Sequence, residues 1–119
     1  MKILTAANHV TVLEELGKEL SDIFPEGEII KETDALMAGK YAFNHDVDIV
    51  FAEADMKRMN GLQLIQFVRH EHPNVKSFLV GTEKELSECA DAAARLARTL
   101  YDGKKPFARL VFRFVLCRI

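Results

Sequence analysis

The sequence predicts an α/β domain in which a parallel sheet is covered by helices on both faces. Short apolar runs alternate five times with stretches that carry apolar residues at three- and four-residue steps, a pattern typical of strand–helix units. The run Val47–Ala52 is broken only by Asp48, as in a strand buried on both sides. A chain of 119 residues is the size of one domain. We therefore expect a single domain over residues 1–119, with no output domain in this chain.

Stop and cap signals divide the first part of the chain into elements. Ile3–Ala6 is predicted as the first strand. The first helix is defined by apolar residues that share one face: Leu13, Leu16, Leu20, Ile23 and Phe24. Pro25 ends this helix, and Glu28–Lys31 is predicted as an edge strand. Either Thr33 or Asp34 caps a second helix, because both side chains can accept from the first helical N–H groups.

Similar signals mark the remaining elements. Asn60–Gln63 has the pattern of a capping box and opens a helix that ends at His72. Three further elements are predicted after it: a buried strand at Val75–Val80, a long helix after Thr82, and a short fifth strand at Leu100–Tyr101. Pro106 opens a last helix, and Leu116–Ile119 is expected to be its end.

Composition excludes several classes of protein. No apolar run approaches the ~18 residues of a membrane span, and the spacing of Cys89 and Cys117 suits neither a disulfide framework nor a zinc site. We expect a reduced, cytoplasmic domain. The net charge of −2 conceals a split, since 9 basic and 16 acidic residues give −7 over residues 1–89, whereas 7 basic and 2 acidic residues give +5 over residues 90–119. A basic face can steer an acidic partner, although arginines that merely solvate the last helix explain the same split.

The carboxyl ends of parallel strands are where ligands bind in such a sheet. Four short segments stand at these ends or before the last helix: Ala7–His9, Glu53–Gly61, Gly81 with Thr82, and Lys105–Phe107. None of the four histidines has metal-ligand spacing; His9 and His45 stand alone, and we interpret all four as surface or loop residues.

These segments resemble the receiver domain of bacterial two-component response regulators, and the resemblance covers all 119 residues. Its most specific parts are Asp48–Phe51 leading into Met56–Leu62, and the sequence Lys105–Phe107. The resemblance implies a flavodoxin-like (βα)5 sheet of order 2-1-3-4-5 in three α/β/α layers. It also implies a signalling domain and not an enzyme.

Departures from the family pattern carry the functional prediction. The phosphoacceptor aspartate of receivers stands eight residues before the glycine, and here that position is Glu53. The two acidic residues that hold magnesium in receivers correspond to Ala7 and Asn8, which offer no carboxylate, so we expect weak or absent Mg²⁺ binding and no cofactor. The position of the family's hydroxyl is Gly81, with Thr82 beside it. We predict a pseudo-receiver that has lost phosphoryl transfer.

Several alternatives remain open from the sequence. A pair between Glu53 and Lys105 would either imitate the phosphorylated pocket or be an inert structural pair. Asp55 is a second candidate acceptor of the phosphoryl group. Rival functions are a conventional phosphorylated receiver with unusual metal use, a small-ligand domain of the same fold, and nucleic-acid contact through the basic segment, which the overall charge does not favour.

The resemblance also implies where partners bind. In receivers the fourth helix, fifth strand and fifth helix commonly contact a kinase, an effector domain or a second copy. The predicted switch and interface residues on that face are Tyr101, Arg95, Arg98, Arg109 and Arg113. We therefore expect signalling proteins as partners, with a homodimer through this face as one possibility, and no membrane contact.

Overall fold

A computed structural model describes residues 1–81, 99–100 and 115–118. Its elements, in chain order, are β1 (Lys2–Ala6), α1 (Val10–Ile23), β2 (Glu28–Glu32), α2 (Ala35–Asn44), β3 (Ile49–Glu53), α3 (Gly61–Glu71), β4 (Lys76–Gly81), β5 (Thr99–Leu100) and β6 (Val115–Arg118). The elements up to β4 agree with the predicted ones to within two residues at most ends. No helix in these ranges is both long and apolar enough to cross a bilayer.

The sheet has the order β2-β1-β3-β4-β6-β5, and its first four strands are parallel. This confirms the predicted parallel order 2-1-3-4 and the flavodoxin-like alternation of strands and helices. β1 and β3 run side by side with Ala6 opposite Ala52. Their carboxyl ends therefore meet at one edge of the sheet, which positions the site described below.

The strand beside β4 differs from the prediction. Val115–Arg118 pairs antiparallel with β4, and Thr99–Leu100 pairs antiparallel with β6. The expectation of a helix end is wrong for Leu116–Arg118, which lie in a strand. Of the parallel strand predicted at Leu100–Tyr101 the structure describes Leu100, which pairs antiparallel with β6 and not with β4. A short apolar run such as Val115–Cys117 fits a helix face or a buried strand equally well by periodicity. Pairing supplies the backbone partners that the edge of β4 would otherwise lack.

Two apolar clusters cover the two faces of the sheet. On one face Leu4, Val50 and Leu79 pack with α2 and α3. On the other face Ile3, Phe51 and Phe78 pack with α1, and the rings of Phe51 and Phe78 are stacked with centroids 4.9 Å apart. Successive strand residues alternate between the two faces, and because both faces are covered, β3 is buried at all five positions. This explains its continuous apolar sequence.

Helix α2 buries small residues and exposes large ones. Its N-cap is Asp34, whose carboxylate accepts from the Leu36 N–H at 2.9 Å. The buried face consists of Ala35, Ala38, Gly39 and Ala42. Leu36 is nearly half exposed, and Phe43 is 67% exposed. The helix therefore packs closely against its neighbours while it presents apolar surface outward.

Candidate functional site

The candidate site lies at the carboxyl ends of β1 and β3. The loop that follows β1 consists of Ala7, Asn8 and His9, and it lies beside Glu53, the last residue of β3. The structure therefore brings together three of the predicted pocket residues. Ala7 is fully buried, Asn8 is half-buried, and Glu53 is only 2% exposed.

The Glu53 carboxylate is bound by the β1–α1 loop through both of its oxygens. Oε1 accepts from the backbone N–H groups of Asn8 at 2.7 Å and His9 at 3.2 Å. Oε2 lies 2.8 Å from Nδ1 of the His9 ring. An ionised carboxylate only accepts hydrogen bonds, so Nδ1 carries the proton in this contact. Hydrogen bonds of this kind compensate the burial of the charge.

Glu53 also stabilises the start of α1. His9 is the N-cap of this helix, yet its side chain makes no capping hydrogen bond, and the first helical turn contains no acidic residue. The carboxylate of Glu53 instead stands at the amino end of α1, where the helix dipole favours negative charge. A residue of the sheet thus supplies the anion that the local sequence of α1 lacks.

His9 is the residue of the candidate site that sequence reasoning missed. Its position in a surface loop is confirmed, and its side chain is 59% exposed, but the expectation that it stands isolated is wrong because its ring binds Glu53. The one feature of the sequence that could have indicated this contact is the position of His9 directly after β1, at the same sheet edge as Glu53. Spacing could not reveal the contact, because the two residues are 44 positions apart.

The backbone of Glu53 is held from the opposite side by the start of α3. A Cβ atom at Gly61 would overlap with the carbonyl oxygen of Glu53, so this close approach requires glycine. The Gly61 N–H donates to the Ala54 carbonyl at 3.1 Å. Asn60 and Gln63 form the predicted capping box, with hydrogen bonds of 3.0 and 2.9 Å.

The loop between β3 and α3 contains a strained residue. Arg58 has a φ of 69°, in the left-handed region that non-glycine residues seldom adopt. Around it, the Met59 N–H donates to the Lys57 carbonyl at 2.7 Å, which closes a three-residue turn. The Arg58 guanidinium lies 3.6 Å from the Asp34 carboxylate at the start of α2.

The other predicted site residues separate into two groups. Asp55 is exposed in the loop after β3, whereas Gly81 is buried at the end of β4. The remaining predicted residues lie outside the described part of the chain: Thr82, Lys105, Tyr101, Arg95, Arg98, Arg109 and Arg113. The predicted Glu53–Lys105 pair therefore stays a prediction.

Comparison with solved structures identifies the same domain type repeatedly. The receiver domain of AraT, a response regulator from Geobacillus stearothermophilus, is 28% identical to this chain; the match covers 80% of this chain and 74% of that one, with a TM-score of 0.69. A response regulator receiver domain protein from Clostridium thermocellum is 17% identical, covers 79% and 75%, and has a TM-score of 0.65.

A third match is a chain in the CheX–CheY complex of Borrelia burgdorferi. It is 20% identical, covers 76% of this chain and 71% of that chain, and has a TM-score of 0.61. No protein-family model and no curated protein matches the sequence. The structural matches agree with the resemblance that the sequence motifs predicted.

Proposed function

We propose that this chain, a response-regulator receiver domain by its fold, transmits signals through protein–protein contacts and without transfer of a phosphoryl group to Glu53. The proposal rests on a single observation, the burial and hydrogen bonding of the Glu53 carboxylate. It is buried, and both of its oxygens are engaged by Asn8 and His9.

This geometry opposes nucleophilic attack by Glu53. A carboxylate oxygen that accepts a phosphoryl group must reach the phosphorus in line with the bond that breaks. The Glu53 oxygens point instead toward the backbone and ring donors of the β1–α1 loop. An attack would require these hydrogen bonds to break and the side chain to leave its buried position.

The donor set does not fit the magnesium ion that the family resemblance implies. Mg²⁺ prefers carboxylate and other hard oxygen ligands in near-octahedral geometry. Ala7 has no donor, Asn8 has one neutral amide oxygen, and the charge of Glu53 is already compensated by N–H donors. We therefore expect weak or no Mg²⁺ binding at this edge, and no step of the proposed function passes through the metal.

The expected partners are other signalling proteins in the cytoplasm, that is, a kinase, an effector domain or a second copy. The net charge of +5 over residues 90–119 supports an acidic partner surface. The residues expected to contact it are Arg95, Arg98, Arg109 and Arg113. The matching chain from Borrelia burgdorferi belongs to a complex of CheX with CheY, so this neighbour binds another protein.

Incubation with acetyl phosphate and Mg²⁺, followed by intact-mass spectrometry, tests the proposal. We expect no stoichiometric phosphoryl adduct on the wild-type chain. A triple variant with Ala7→Asp, Asn8→Asp and Glu53→Asp restores the family's carboxylates and serves as the comparison. A full-occupancy adduct on the wild-type chain would refute the proposal.

Two single variants then locate any adduct. Loss of the adduct in Asp55→Asn would assign it to the exposed Asp55. Loss in Glu53→Gln with retention in Asp55→Asn would assign it to Glu53 and contradict the geometric argument. Either result would replace the proposed function by that of a conventional phosphorylated receiver.

A further inference from the structure

An apolar groove lies between α2 and α3, away from the Glu53 site. It has a volume of about 310 Å³, and we call it the α2–α3 groove. Six of its lining residues matter for the argument: Leu36, Gly39, Lys40, Phe43, Met59 and Phe67. Such a groove can hold a few side chains of a docking segment.

The close packing of α2 creates the groove. Small residues form the buried face of α2, and Gly39 forms part of the groove floor, since a Cβ atom there would lie 3.6 Å from the Phe67 ring. Leu36 (47% exposed) and Phe43 (67% exposed) stand at its rim. Large apolar side chains that border a groove mark an interaction surface, because leaving them in water is unfavourable.

Within the described part of the chain, the one charged residue that lines the groove, Lys40, is positive. Lys40 lies between Leu36 and Phe43 on one stripe of α2, because residues three and four apart are neighbours on a helix. Arg58 stands next to Met59 at the other side, where the Asp34 carboxylate lies 3.6 Å from it. Lys57 beside it is exposed. The groove therefore combines apolar walls with the cation of Lys40, whereas the charge of Arg58 is paired with Asp34.

We propose that the α2–α3 groove docks an acidic amphipathic helix of a partner protein. The apolar residues of that helix, spaced at three- and four-residue steps, would lie between Leu36, Phe43 and Phe67. Its carboxylates would face Lys40 and the loop that carries Arg58. This surface uses none of the residues of the Glu53 site, so it is independent of whether that site accepts a phosphoryl group.

The charge pattern favours this occupant over a second copy of the chain. In a two-fold contact the same patch meets itself, so both copies would bring the cation of Lys40 to the interface, and the groove lining, as far as the structure describes it, offers no carboxylate to compensate it. Like charges brought together at an interface oppose association. The carboxylates of an acidic segment would instead be attracted to Lys40.

Selection of short random peptides displayed on phage against the full chain tests the proposal without a known partner. We expect the selected peptides to carry Leu, Ile or Phe at helical spacing together with Asp or Glu. One such peptide, labelled with fluorescein, is then titrated with the wild-type chain and its variants by fluorescence anisotropy. Rising salt should weaken its binding.

Two matched pairs of variants assign the binding to the groove. Leu36→Ser should weaken the affinity about ten-fold or more, as expected for a large apolar side chain that becomes buried on binding, whereas Met37→Ser should change it less than about two-fold. Met37 is as exposed as Leu36 (48% and 47%) on the same helix but does not line the groove. Lys40→Glu should weaken binding, and Lys18→Glu on the exposed surface of α1 should not. Urea unfolding of each variant checks that the fold is retained.

Three results would overturn the proposal. Selected peptides of basic character would contradict the charge argument. An equal effect of Leu36→Ser and Met37→Ser would place the binding elsewhere. Self-association in analytical ultracentrifugation that Leu36→Ser abolishes would make the groove a contact between copies of this chain.

Discussion

The two loops that follow β1 and β3 begin helices in opposite ways. The β3–α3 loop is long, contains the strained Arg58, and ends at Asn60, which forms a capping box with Gln63 in the first turn of α3. The β1–α1 loop is short, and its N-cap His9 makes no side-chain capping bond. Its stabilising acceptor comes from Glu53 on the neighbouring strand.

The difference shows why one helix start could be predicted and the other could not. A capping box lies within four consecutive residues, so the sequence alone reveals it. The anion at the start of α1 comes from a residue 44 positions away, and only the pairing of β1 with β3 brings it there. Glu53 connects the two loops, since its backbone lies beneath α3 and its side chain reaches α1.

The largest expected effect concerns the close approach of Gly61 to the backbone of Glu53. Gly61→Ala places a Cβ atom against the carbonyl oxygen of Glu53, which is backbone and cannot move without shifting β3. We expect a loss of about 3 kcal/mol in the free energy of unfolding, in the range of severe overpacking. Urea denaturation monitored by circular dichroism measures it.

Gly39→Ala is the matched control for that variant. Its Cβ atom would lie at an ordinary contact distance of 3.6 Å from Phe67, and Gly39 lies within a helix. We expect stability to rise by about 0.5–1 kcal/mol, because alanine is the better helix former. A similar loss for both variants would mean that the approach of Gly61 to Glu53 has no special importance.

The next prediction tests how much the Glu53 carboxylate stabilises the amino end of α1. Glu53→Gln keeps the shape of the side chain but replaces a charged acceptor with a neutral amide, of which one end is a donor. We expect a loss of about 1–2 kcal/mol in the free energy of unfolding, as for hydrogen bonds to charged groups. Asp55→Asn makes the same chemical change at an exposed position and should stay within about 0.5 kcal/mol of the wild type.

A double-mutant cycle separates the ring contact from the backbone contacts. His9→Ala removes the Nδ1 donor but leaves the N–H groups of Asn8 and His9 in place. We expect His9→Ala alone to cost about 1 kcal/mol, and a coupling with Glu53→Gln of about 0.5–1.5 kcal/mol from urea unfolding of all four proteins. Strictly additive effects would show that the ring contributes nothing to holding the carboxylate.

Most of the fold up to residue 81 could be predicted from the sequence, because its signals are local. The apolar run of β3 identifies a strand buried on both faces, and the capping box of Asn60 marks a helix start. The prediction was wrong for Val115–Arg118, where the apolar run has no local feature that separates a helix face from a strand. Its pairing with β4 is a tertiary event.

The sequence predicted where the candidate site lies but not which side chain contacts Glu53 there. The motif located Glu53, and the departures at Ala7 and Asn8 were visible in the sequence. The partner of Glu53 was not, because a histidine after a strand has many possible contacts and no spacing rule selects one of them. In α2 the small residues pack inward and leave the large apolar side chains of Leu36 and Met37 exposed, an arrangement that hydrophobicity alone does not predict.

The smallest expected effect concerns the strain in the β3–α3 loop. Arg58→Gly relieves the cost of a φ of 69° and gives up the contact with Asp34, in which the Arg58 side chain is 64% exposed. The relief of strain should outweigh two small losses, that of an exposed ion pair and that caused by the freedom glycine adds to the unfolded chain, so a net gain of about 0.5 kcal/mol is expected. Lys57→Gly, one residue earlier, gains no such relief and should lower stability. Thermal and urea unfolding of both variants measure the difference. Equal losses for the two variants would indicate that the turn around Arg58 stores no strain. The difference between the two loops would then consist only in how their helices are capped, one by its own residues and the other by Glu53.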